Sequence, residues 1–183
     1  MASERVRVEV WCEDLEHRDF ANRLLEEVFG LKPRAIRTNT APRGSGDAKA
    51  WVLSQYQRDV LRLCRVKRKQ QRLGFLVIAD GDNAGFRGRL RTFNPDARDP
   101  DDRIALLVPT WSIETWVLWL TDGAPGITES VSLKHRLPPT DFRTCLQKAV
   151  AVWRTPKPGE EQAVPSLDHA RGELLRLPSK RSS

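Results

Sequence analysis

From Arg5 to Cys12 the chain alternates, with Val6, Val8, Val10 and Cys12 on one side and Arg5, Arg7, Glu9 and Trp11 on the other. A period of two predicts a strand with one well-buried face. After Glu13 the period lengthens: Leu15, Phe20, Leu24 and Val28, flanked by Ala21 and Leu25, make a helical stripe, and Gly30 is its stop. "PRAIRTNT" predicts a short second strand and "APRGSGD" a turn-rich loop. Leu53, Tyr56, Val60 and Leu63 form another helical stripe within residues 48–71. "LGFLVIAD" is a continuous apolar run, as in the buried strands of parallel sheets. A short helix or turn is expected over 84–93, and "NPDARDPDDR" reads as an acidic loop punctuated by proline. "IALLVP" predicts a strand stopped by Pro109, and "SIETWVLWL" a helix with Ser112 as its N-cap.

Beyond Asp122 the pattern is irregular as far as residue 139. A helix is expected over 141–153, with Phe142, Leu146, Ala149, Val150 and Trp153 on one side. "RTPKPGEE" then reads as a linker, 166–177 as a last helix, and "PSKRSS" as a disordered tail. The alternation of strands and helices predicts an α/β fold: a small, mostly parallel sheet of about four strands, Rossmann-like, flanked by helices and joined by right-handed crossovers. Residues 1–122 would form that core, and 123–183 a loop with a helical C-terminal extension. In such sheets, sites lie at the carboxyl ends of the strands.

The acids stand where that rule asks for them. Glu13 follows the first strand, Asp80 and Asp82 follow the strand over 73–79, and Glu114 opens the helix after the strand over 104–108. If the strands are neighbours, these carboxylates converge, and like charges so gathered call for a cation. Oxygen donors with little sulfur or nitrogen favour Mg²⁺ or Mn²⁺ over zinc. Alternation along an extended chain would let Asp80 and Asp82 face the same way. Gly81 would leave the backbone unhindered, and Gly85 would permit a tight turn into the next helix.

Composition sharpens the choice of partner. The 183 residues carry a net charge of +7. Residues 58–91 alone hold ten Lys/Arg against three acids, a surplus equal to that net charge. Concentrated positive charge beside a carboxylate site suggests a polyanion, with nucleic acid first. Arg58, Arg62, Arg65, Lys69 and Arg72 step by threes and fours along one helical face, a phosphate track if the acids hold metal and a solvated face if they do not. Arg87, Arg89 and Arg91 are nearer the acids in sequence. Lys134 and His135 fall in an irregular loop that could enter the site. Cys12, Cys64 and Cys145 lie far apart with no C-x-x-C pair, which argues against a zinc knuckle and a disulfide framework. The opening "MASERVRVEV" has no apolar signal core and no apolar run is long enough for a bilayer, so a cytoplasmic protein away from membranes is expected.

"VIADGDNAG" resembles the second signature of the TOPRIM domain, shared by topoisomerases, bacterial primases and overcoming-lysogenization-defect nucleases; Asp80, Asp82 and Gly85 match it. "VEVWCEDLEHRDFANRLL" is similar to the family's first signature, with Glu13 as its glutamate and Asp14 where a glycine is usual. "VPTWSIETWVLWL" resembles the segment that ends the core in small nuclease-like members. The resemblance spans about residues 5–120 and implies that Glu13 acts as general acid/base and metal ligand. It implies too that Asp80 and Asp82 hold the cation, and that Glu16 and Glu114 are accessory ligands. It points to a divalent-metal-dependent nuclease in bacterial defence against phage or mobile DNA, often beside an ATPase. The alternative is a non-catalytic, TOPRIM-like regulatory or nucleic-acid-binding subunit that docks on such a partner. Without the downstream pair Glu13 would read as a first-turn acid favoured by the helix dipole, and for Glu114 that reading and the site weigh equally; Glu16 and His17 face solvent or the site, solvent first, and Trp111, Trp116 and Trp119 read as packing residues.

Overall fold

A computed structural model describes residues 6–44, 46–67, 72–122 and 126–178. The strands are β1 (Arg7–Cys12), β2 (Ile36–Thr40), β3 (Leu73–Ile78) and β4 (Ile104–Leu107). They form one all-parallel sheet in the order β2-β1-β3-β4. Between them run α1 (Leu15–Glu27), α2 (Ala48–Gln55), α3 (Leu61–Val66) and α4 (Gly85–Phe93). After β4 come α5 (Ile113–Asp122), α6 (Pro139–Ala151), α7 (Glu160–Ala163) and α8 (Pro165–Leu174). The architecture is the expected α/β fold.

Strand alternation assigns the two faces. Val8, Val10, Cys12, Leu76, Ile78, Ala105 and Leu107 point to a core shared with α1 and α5. Phe75, Val77, Ala79, Ile104, Leu106 and Val108 point to the other, under Val52, Tyr56, Val60 and Phe93. Being covered on both sides, β3 and β4 lose the polar alternation that β1 still shows. The helix expected over 48–71 is broken by a π-helical turn, Tyr56–Val60, between α2 and α3, and ends at Val66. The widened turn presents Tyr56 and Val60 together to the sheet. Residues 68–71, Lys69 among them, and the tail 179–183 lie outside the described residues.

The chain beyond residue 122 packs into the first core. Phe142, Leu146 and Trp153 join Phe20, Leu24 and Trp116, with Trp153 edge-on to Phe20 at 5.7 Å. α8 covers β4, an edge strand, and Glu173 replaces the missing neighbour by accepting the Leu106 N–H at 2.8 Å. Arg98 in turn holds Glu173 with two guanidinium bonds, at 2.5 and 3.2 Å. Trp116 and Trp119 are core residues whose indole N–H groups donate to Ser166 and Glu160. Ser112 precedes α5, but its buried hydroxyl makes no hydrogen bond, so it does not cap through its side chain. No helix among the described residues is long and apolar enough to cross a membrane.

Candidate active site

β1 and β3 are paired in register, Cys12 opposite Ile78, so both deliver their next residues to the same edge of the sheet. Glu13 leaves β1 there and accepts the Asp80 backbone N–H through Oε1 at 2.6 Å. Both carboxylates are buried. β3 ends before the aspartates, and strand alternation does not align them as the sequence pattern suggested. Gly81 is helical in φ and ψ, and Asp82 opens a 3₁₀ turn in the left-handed region, φ 45°. Asp tolerates that conformation better than most residues. Gly81 is required by close approach: a Cβ there would stand 2.4 Å from the Thr110 carbonyl oxygen and 2.7 Å from that of Pro109. Its N–H donates to Pro109, and that of Asp82 to Trp111, tying the β3 exit to the β4 exit. Gly85, at φ 63°, turns the chain into α4 as expected.

Two cations meet the acids: His17, which the sequence reading placed in solvent, and Lys49, which it did not single out. His17 is wholly buried; its Nδ1 lies 2.8 Å from Asp14 and its Nε2 2.9 Å from Asp80. Burial opposes its charge, but Asp80 and Asp14 outweigh burial and raise the imidazole pKa well above its ordinary value. Burial also opposes ionisation of Asp14, yet the bond to His17 and its charge hold that carboxyl well below the usual range. Asp14 is the N-cap of α1, accepting the His17 N–H at 3.0 Å. The second cation is Lys49, in the first turn of α2. Its ammonium pairs with Asp82 Oδ2 and lies 3.9 Å from Glu13 Oε2. Glu13 itself is pushed up to about 7, first by burial and then by Asp80, with His17 pulling the other way.

The sequence carried signals for both. His17 sits three residues after Asp14 and four after Glu13, the spacing at which helical side chains meet. Lys49 places a positive charge at a helix N-terminus, where the dipole disfavours it unless acids are near.

The accessory acids Glu114 and Glu16 lie close to one another and, through Glu16, to Asp14. Glu114 is buried in the first turn of α5. Glu16 is half-buried, its pKa raised by burial and then by Glu114 and Asp14. Lys134 faces the same group: burial opposes its charge, but Glu114, Asp80, Asp14 and Glu16 outweigh that and raise its pKa. Cys12 is no nucleophile, since burial and then Asp14 push its thiol up to about 12.

The arginines separate into two sets. α2 begins at the carboxylates and leads away from them, so Arg62 is roughly 20 Å along the axis from Lys49 at 1.5 Å per residue. Arg58 and Arg62 are exposed and lean on Asp59, at 3.2 and 3.9 Å. Arg65 donates to the Ala97 carbonyl. Arg72 enters β3 at the far end of the sheet, its carbonyl accepting from the Arg7 N–H. α4, by contrast, starts at the site. Arg89 Nε donates to the Asp80 carbonyl at 3.2 Å, the Arg87 guanidinium lies over the Phe86 ring, and Arg91 is exposed. A groove of about 560 Å³ lies at the start of α4, lined by Gly85, Phe86, Arg87, Thr110, Ser130 and Gln162 among others.

Among the described residues, no three His, Cys, Asp or Glu side chains are grouped so as to hold a metal ion in their present arrangement. The Asp80 carboxylate is taken by His17. Glu13 and Asp82 converge on one ammonium, and Asp80 is tied to Glu13 through its N–H. Compared with known proteins, the chain matches no family model, no curated protein and no solved structure.

Proposed function

We propose that the chain is a divalent-metal-dependent nuclease of TOPRIM type, hydrolysing nucleic-acid phosphodiesters at the carboxylate edge of its sheet. The observation that carries this reading is the meeting of Glu13 and Asp82 on one cation, with Asp80 bonded to Glu13, at the carboxyl ends of two adjacent strands. A divalent ion bound there would polarise a phosphoryl oxygen and make water a better nucleophile at neutral pH. Glu13, at the end of β1 beside Asp80, would take a proton from the attacking water. Arg89 beside Asp80 supplies positive charge for the phosphate at the site. Arg58, Arg62, Arg65 and Arg72 can serve only a longer polyanion that continues away from the acids.

The test is cleavage of plasmid, single-stranded DNA and RNA by the purified protein with Mg²⁺ or Mn²⁺ and with chelator. Cleavage lost in chelator and in both Glu13→Gln and Asp80→Asn supports the proposal. One observation favours the second reading, a non-catalytic subunit: Lys49 and His17 pair with the acids. Binding of nucleic acid or an ATPase partner with no cleavage under any ion would establish that reading instead.

A further inference from the structure

We propose that the groove at the start of α4 takes one unpaired base of a single-stranded nucleic acid, whose phosphates follow Arg87 and Arg91. This names the substrate class for the nucleic-acid reading above, on which it rests, and it needs no metal. The walls suit a flat ligand with a hydrogen-bonding edge. Phe86 contributes a half-buried ring, braced by the His169 ring 6.0 Å away, and the Arg87 guanidinium stands over it at 5.7 Å. Bases stack on aromatic and guanidinium planes alike. Gln162 is exposed in the lining and offers both donors and an acceptor, and the Thr128 and Ser130 hydroxyls lie 2.6 Å apart beside it in the chain of lining residues. The acid of the lining, Glu129, is occupied. It accepts from the Thr110 hydroxyl at 2.5 Å, from the Ser166 N–H at 3.2 Å and from the Ser166 hydroxyl, while its carbonyl accepts from the Trp111 indole at 3.1 Å. These bonds pin 128–130 to the β4 exit, so the groove is formed before a ligand arrives. Its volume of about 560 Å³ admits a small planar ligand and no duplex, and a base already paired cannot present its edge.

Charge selects the occupant. α4 carries three arginines and no acid. Arg18, Arg23, Arg58 and Arg98 each pair with a carboxylate. Among the described residues, Arg87, Arg89 and Arg91 have no such partner. Arg87 and Arg91 are exposed and share one face of the helix, about 6 Å apart along its axis at 1.5 Å per residue. Successive phosphates of one strand neutralise both, which a single neutral ligand in the groove does not.

The experiment measures binding of a labelled strand of about ten nucleotides, and of its duplex, by fluorescence anisotropy in chelator, where no metal-dependent cleavage intervenes. The proteins are wild type, Arg87→Gln, Ser130→Leu, which fills the groove from an exposed position, and Arg23→Gln, which removes one charge across the sheet. Wild type should prefer the single strand. Its affinity should fall about ten-fold in Ser130→Leu and in Arg87→Gln, the loss of one stacked base or one phosphate contact, and less than two-fold in Arg23→Gln. Single-strand binding by Ser130→Leu equal to wild type overturns the groove and leaves the nuclease reading standing. Equal affinity of wild type for strand and duplex overturns the unpaired base. Binding of neither by wild type overturns the nucleic-acid reading and this inference with it. Should the variants fail to fold, photo-cross-linking of a strand with a photoactivatable base to the wild-type protein decides. Cross-links should map to 84–87, 128–130 or 162, and cross-links confined to other segments overturn the proposal.

Discussion

Glu13→Gln isolates the electrostatic cost of the site. The substitution keeps the size of the side chain and the oxygen that accepts the Asp80 N–H, and removes only the negative charge. A buried carboxyl raised from 4.5 to about 7 is disfavoured as the anion by roughly 3 kcal/mol. Its folded pKa lies above its unfolded one, so the native state binds more protons between pH 4.5 and 7. In chelator, the wild-type protein should therefore lose stability as pH rises through that window and stay lower above it. His17, also raised, adds to the loss above its ordinary value of 6.5, because the folded state holds a proton that the unfolded chain releases. Glu13→Gln should match wild type near pH 4.5 and exceed it at pH 8 by about 1–3 kcal/mol. The upper figure is the burial penalty, and the lower allows for the lost attraction to Lys49 and His17. Urea unfolding of both proteins at half-unit pH steps measures the difference. A difference that is flat with pH, or a variant less stable at pH 8 than at pH 5 relative to wild type, would refute the reasoning. Saturating Mn²⁺ should reverse the order at pH 8, since an ion stabilises only the carboxylate that can bind it.

His17→Asn leaves Asp80 buried without its cation and should destabilise the chelated protein by about 3 kcal/mol or more, measured by urea unfolding; a loss under 1 kcal/mol would mean the imidazole is not charged in the fold. Gly81→Ala forces a Cβ onto the Thr110 and Pro109 carbonyl oxygens, which are backbone and cannot swing aside. It should cost about 1–3 kcal/mol in thermal unfolding and weaken Mn²⁺ binding through Asp80 and Asp82.

The sequence by itself determined the sheet and the identity of the acids at its edge. The alternation of Val6 to Cys12 and the unbroken apolar run from Leu73 to Ala79 are local consequences of burial on one face or two. A strand that ends in acid therefore announces where its edge lies. Residues 73–79 and 104–107 were legible for that reason, and so were Glu13, Asp80 and Asp82. Only the tertiary structure decided what those acids meet. Lys49 is thirty-six residues from Glu13, and His17 sixty-three from Asp80. Their pairing exists because β1 and β3 are neighbours while α1 and α2 cover opposite faces. The turn at Asp82 likewise depends on the β4 exit, whose carbonyls press on Gly81. The divergence of the arginines from the site follows from the direction of α2, which the spacing of the residues does not contain. Periodicity records which face of an element is buried; it holds no information about which other element buries it.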